Sequence, residues 1–147
     1  MANYLAEHAH YREAEPLYQR TLRIWEHSLG PEHPNVAYPL NDLANLYSDQ
    51  GKYPEAEPLF LRALRIREQS LGPEHPHMAP PLNGLAILYF DQGKHTEAEP
   101  LFLRALRIWE RSLGPEHSLT RQVRKNYAIL LRAMKRDVEA KQIEERQ

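Results

Sequence analysis

The chain has 147 residues, enough for one compact domain or a short repeat array. Its 19 basic and 20 acidic side chains nearly cancel, which argues against a polyanion-binding surface spread over the whole molecule. The lack of cysteine excludes disulfides, thiolate metal sites and cysteine nucleophiles, and no apolar stretch is long enough to cross a bilayer.

The chain repeats itself. Leu-Gly-Pro-Glu-His occurs at 29–33, 71–75 and 113–117, and Ala-Glu-Pro at 14–16, 56–58 and 98–100, both at a spacing of 42 residues. Between 43–75 and 85–117, 27 of 33 positions are identical. A fixed period of this size marks a solenoid, in which each unit buries its apolar face only against its neighbours.

In chain order, Leu40, Leu43, Ala44 and Tyr47 follow the i, i+3, i+4, i+7 pattern of a helix, as do Ala56, Leu59 with Phe60, and Ala63. Gly51 separates these two runs, which predicts a helix–turn–helix hairpin. The second helix ends at Leu71, where Gly72 can take a left-handed conformation and Pro73 prevents continuation. In the next copy Thr96 and Glu99 have capping-box spacing and place a helix start near Thr96. The Ala-Glu-Pro proline then falls in the first turn or just past it, where a missing N–H costs little. Pro39 and the Pro80-Pro81 pair are expected to delay the first helix of their copies or bend its first turn. Helix is expected over roughly four-fifths of the chain, well above the globular average.

Leu43-Ala44-x-x-Tyr47-x-x-x-Gly51-x-Tyr53-x-x-Ala56-x-x-x-Phe60-x-x-Ala63 resembles the tetratricopeptide repeat. The 42-residue unit, with Leu-Gly-Pro-Glu-His-Pro between hairpins, is similar to the variant in kinesin light chains and related bacterial arrays. The resemblance implies an all-α fold, a right-handed superhelix of stacked antiparallel helix hairpins. It divides the chain into a truncated first repeat (1–30), two complete repeats (31–72 and 73–114) and a divergent fourth (115–147).

Constellations that could suggest chemistry have plainer readings. His33, His75 and His117 recur at one repeat position, but stacked hairpins are about 8–10 Å apart, too far for one zinc ion to collect them. They are read as polar loop packing. Glu13/Glu15, Glu55/Glu57 and Glu97/Glu99 are two residues apart on a helix and point to different faces, so no carboxylate dyad is expected. Neither a Ser–His–Asp set nor a phosphate-binding glycine motif is present. The reading is therefore no enzyme, no cofactor and no metal. Trp25 and Trp109 share one repeat position with Arg67 and are read as packing across the end of a helix contact.

The resemblance implies a peptide- or protein-binding scaffold whose first helices line a concave groove. The positions carried over are Tyr38, Asn41, Asn45, Ser48 and Asp49 in the second repeat. They are Asn83, Ile87, Phe90 and Asp91 in the third, and Gln122, Lys125, Ile129 and Arg132 in the fourth. Asn3 and Glu7 come from the first. Asn41, Asn45 and Asn83 are poor helix formers, so they either hydrogen-bond the backbone of an extended peptide or tie neighbouring helices together. Asn45 becomes Ile87 and Ser48 becomes Phe90 from one repeat to the next, which predicts an apolar pocket near Ile87 and Phe90. Glu7, Asp49 and Asp91 make the early face acidic, whereas Arg121, Lys125 and Arg132, with Arg124, Lys135 and Arg136, make the late one basic. That basic end is either a docking point for an acidic group of a partner or a match to the helix dipole. With Tyr127 the one stacking aromatic nearby, nucleic acid is disfavoured.

An alternative function, by the same resemblance, is the ligand-sensing portion of a larger signalling ATPase. The expected location is cytoplasmic, with no membrane partner. The two ends differ. Glu144 replaces the aromatic of Tyr18, Phe60 and Phe102, and Gln142 and Glu145 replace Pro100 and Leu103, a charged face expected to end the array. The first repeat is expected to expose Leu17, Thr21 and Ile24, so the chain is either a piece of a longer array or self-associates through that repeat, as in a symmetric dimer.

Overall fold

The computed structural model describes the backbone of residues 2–145 and the side chains of residues 11–145. Among the described residues there are seven α-helices and no strand. They are α1 (Ala2–Leu29), α2 (Ala37–Asp49), α3 (Tyr53–Leu71), α4 (Ala79–Asp91), α5 (His95–Leu113), α6 (Ser118–Ala133) and α7 (Asp137–Glu144). The chain divides into two compact units, Met1–Leu71 and Gly72–Gln147.

In the first unit α2 packs on both α1 and α3. Val36, Ala37 and Leu40 meet Ala63 and Ile66 of α3, with Leu22, Trp25 and Leu59 packed against them. A second cluster joins Ala14 of α1 to Leu43 and Leu46 of α2, bordered by Tyr11, Tyr18 and Tyr47. In the second unit α5 packs on α4 and on α6, and α6 on α7. Phe102, Leu106, Ile108, Val123, Leu130 and Leu131 are buried there.

One backbone position decides whether a hairpin forms. Gly51 and Gly93 turn the chain with φ of 75° and 79°, a region open to glycine at no steric cost. The same position in the last hairpin is Lys135, the one non-glycine residue with positive φ among the described residues, at 61°. All three turns close alike: Lys52, Lys94 and Arg136 each donate their N–H to the carbonyl five residues back, on Tyr47, Tyr89 and Leu131, at 2.8 Å. In the first repeat this position is Ala9, and α1 runs straight through it as one 28-residue helix. Alanine favours the helix, and a left-handed alanine would cost ~1–2 kcal/mol.

The prolines sit only partly as expected. Pro39, Pro80 and Pro81 do not delay their helices; they occupy the first turn, whose N–H groups have no partner in any case. Each of these helices follows a single 3₁₀ turn, Pro34–Val36 or Pro76–Met78. Pro58 and Pro100 lie sixth in α3 and α5, just past the first turn, but Pro16 lies deep inside the longer α1. The capping box does not form. α5 starts at His95, Thr96 donates to Glu97 at 3.1 Å, and Glu99 is drawn instead to Tyr127 and Arg136, both at 2.8 Å.

The recurrent loop is held from two sides. The Nδ1 atoms of His33, His75 and His117 each accept the N–H two residues on, at 3.1 Å, so the repeated histidine caps the turn or helix that follows. The Pro31 carbonyl accepts from Arg62 at 3.1 Å and Pro73 from Arg104 at 3.4 Å. Glu32 and Glu74 pair with Arg65 and Arg107 at 3.4 and 3.2 Å. Trp109 is buried and Trp25 half-buried, as packing residues; Arg67 in their place is also buried, 4.5 Å from the centroid of the Tyr38 ring. On α1, Leu17 and Ile24 are 63% and 50% exposed, whereas Ile66 and Ile108, at the position of Ile24, are buried; Thr21 is half-buried.

Lys135→Gly should stabilise the fold by about 0.5–1 kcal/mol, the relief of left-handed strain less the entropy of a free glycine. Urea denaturation followed by circular dichroism measures this; unchanged or lower stability would show that Lys135 sits there without strain.

Candidate functional site

The residues carried over from the repeat pattern fall in different surroundings. In the first unit Asn45 and Asp49 line a hollow of about 240 Å3 with Tyr11, Tyr18, Asp42 and Leu46. Tyr38, on the same helix, spreads its ring against the Arg67 guanidinium, a favourable arrangement for a cation over an aromatic face. Burial lowers the Arg67 pKa, and Tyr38 and Asp42 oppose that shift. Asp42 is itself raised by burial and lowered by Arg67. Asn41 and Ser48 are half-buried, and the Asn41 Oδ1 is recessed without a hydrogen-bond partner among the described residues.

In the second unit Ile87, Phe90 and Asp91 of α4 meet Ile129 of α6 around a hollow of about 190 Å3. Phe102 of α5 and Asn126 of α6 complete its lining. These are four of the carried-over positions at one place. Sequence reasoning missed Asn126 as a lining residue, because the aligned positions Asp42 and Gly84 share no chemistry with it. It treated Phe102 as framework, since phenylalanine or tyrosine stands there in three repeats. Phe90 is steadied by the His95 ring, with centroids 5.3 Å apart. Asn83 is half-buried, and its Oδ1, like that of Asn41, has no partner among the described residues.

Asp91 makes no hydrogen bond or ion pair among the described residues. Burial pushes its carboxyl up from the ordinary 3.8, since the charged form loses hydration with no counter-charge in return.

Lys125 lies apart from that hollow. With Ser118, Arg121, Gln122, Arg124 and Glu144 it lines a wider cleft of about 520 Å3. The cations expected at this end divide into two sets. Arg124 is buried and donates to the Pro115 carbonyl at 2.9 Å. Arg136 is held by Glu99 at 2.8 Å and Glu139 at 2.6 Å, and Arg132 is held by both carboxylate oxygens of Glu144. Arg132 is thus engaged within the chain, because Glu144 lies within its reach on α7. Arg121 and Lys125 are exposed and enter no ion pair among the described residues. The side chains of Asn3 and Glu7 lie outside the described residues.

The profile of the tetratricopeptide repeat matches residues 1–69, 39–97 and 77–146, and the chain belongs to that family. The fold is similar to a putative kinesin light chain from Podosopora anserina with nearly identical TPR-like repeats. The TM-score is 0.83 at 25% identity, over 97% of this chain and 67% of that one. It is also similar to BtubC (BKLC) from P. vanneervenii, with a TM-score of 0.82 at 22% identity, over 92% of this chain and 54% of that one. No curated protein matches the chain. The architecture is accordingly that of an all-α solenoid of the kinesin-light-chain-like type. None of the described helices is long and apolar enough to cross a membrane.

Asp91→Asn should raise stability at neutral pH by less than about 1 kcal/mol, given solvent screening. A carboxyl whose folded pKa is raised binds its proton more tightly folded than unfolded, so its penalty is complete above the folded value. The gain should fade as pH falls towards the unfolded value near 3.8. Melting curves of both proteins from pH 7 to pH 3.5 check this, and a variant less stable at pH 7 contradicts it.

Proposed function

We propose that the chain is a protein-interaction scaffold, without catalysis, that holds an extended segment of another protein on the faces of its first helices. One observation carries this reading. Ile87, Phe90, Asp91 and Ile129, chosen from repeat positions alone, line one hollow large enough for a side chain. The recessed Asn41 and Asn83 oxygens support it, as polar atoms without a hydrogen-bond partner among the described residues. The unpaired Arg121 and Lys125 offer a place for an acidic group of the bound segment.

The test uses the chain's own repeats. Ile87→Asn with Phe90→Ser installs the residues that the preceding repeat carries at Asn45 and Ser48. This double variant should keep its helical circular dichroism and weaken selected peptides at least tenfold on a displayed library. The triple variant Asn41→Ala, Asn45→Ala, Asn83→Ala should do the same. If both bind like the parent, the groove assignment is wrong.

A second reading concerns association, favoured by the exposure of Leu17 and Ile24 on α1. We propose that α1 supports self-association of the isolated chain, because a neighbour would cover apolar surface that later repeats bury. Light scattering over a concentration series should show a rising mass; a constant monomer at ~100 µM would exclude contacts of micromolar strength.

A further inference from the structure

The hollow bounded by α4, α5 and α6 combines two features that an apolar pocket does not need. It is small: at about 190 Å3 it falls below the ~300–1,000 Å3 of small-molecule and cofactor sites, so it suits one side chain. Its walls are two isoleucines and two phenylalanines, yet its border carries Asp91, an acid with no partner among the described residues. An apolar anchor seated here would strip more water from that carboxylate and return nothing for it. An acidic anchor would be repelled. A cation reverses both terms, because the carboxylate gains a charge-assisted hydrogen bond and the ring faces attract positive charge.

Among the described residues no cation is paired with Asp91. Lys94 stands over the Tyr89 ring, 5.7 Å from its centroid. Arg132 is taken by Glu144, and Lys125 lines the separate cleft. The Asn126 side chain at the same hollow provides a carbonyl oxygen able to accept a further N–H.

We propose that this hollow takes a lysine or arginine side chain of the bound segment, its aliphatic stem between Ile87 and Ile129 and its charged head on Asp91. The assignment rests on the scaffold reading and deepens it by naming the anchor. It treats Phe90 and Phe102 as the aromatic walls of a cation site and Asp91 as its counter-charge. In the preceding repeat Asn45 and Ser48 replace the apolar walls, so an aspartate alone at position 49 does not reproduce the site.

The experiment follows the Ile87 and Ile129 methyl resonances of the full chain at pH 7. The probes are Nα-acetyl-lysine methylamide, Nα-acetyl-norleucine methylamide and Nα-acetyl-glutamate methylamide. The lysine probe should shift both methyls with at least fivefold higher affinity than norleucine, and glutamate should leave them in place. Asp91→Asn should bring lysine and norleucine to equal affinity, while Asp91→Glu keeps a preference for lysine. Norleucine binding as tightly as lysine to the parent chain, or a lysine preference that survives Asp91→Asn, overturns the cationic anchor and leaves the scaffold reading intact. Silence of both methyls to every probe overturns the anchor as well. In that case the displayed-library result with Ile87→Asn and Phe90→Ser decides separately whether the scaffold reading stands.

Discussion

The close approach of antiparallel helices is the constraint on which everything else here depends. A helix can pass another at about 8–10 Å only where the residues between them are small. The chain meets this with alanines: Ala44, Ala56 and Ala63 in the first unit, and Ala86, Ala98, Ala105, Ala128 and Ala140 in the second, are all fully buried. Phe60 and Phe102, equally buried, fill the space that small residues leave. A methylene added at Ala86, Ala98, Ala105 or Ala128 would push the backbones of the second unit apart and disturb the hollow at Ile87 and Ile129 with them. The site is thus a by-product of helix spacing, shaped by positions that never touch its interior.

The turn position gives a second view of the same economy. Four equivalent residues, Ala9, Gly51, Gly93 and Lys135, face one choice between a helix and a left-handed turn. Glycine makes the turn without strain, and alanine stays in the helix. Lysine makes the turn against its preference, where the α6–α7 hairpin is also closed by the Arg132–Glu144 pair. Local propensity decides where it meets little opposition, and tertiary contacts override it where they supply enough energy.

Electrostatics separates structure from function on the surface. Most charges near the candidate site are consumed by the fold. Glu99 is pulled below its ordinary pKa by Arg136 and then Tyr127, and Arg132 is clasped by Glu144. Asp91, Arg121 and Lys125 are left over. An unpaired carboxylate beside phenyl rings, its charged form disfavoured by partial burial, works against stability, and such local conflicts gather where a protein meets a ligand.

The sequence by itself determined the class of fold. A 42-residue period, helical spacing of apolar residues and glycine at the turns leave little freedom, because each depends on the geometry of one short segment. The family resemblance carried over the positions Ile87, Phe90, Asp91 and Ile129, and two of them, Ile87 and Phe90, also depart from Asn45 and Ser48 of the preceding repeat. Tertiary structure alone decided the rest. That Glu99 leaves Thr96 for Tyr127 and Arg136, and that Tyr38 lies on Arg67, are outcomes of competition between partners far apart in the chain. The division of the cations is of the same kind. Arg132 and Lys125 read alike in one dimension, and only the packing of α7 beside α6 brings Glu144 to the first and leaves the second free. Helical periodicity is local and so is written in the sequence, whereas pairing energy depends on distances that exist only after the helices have packed.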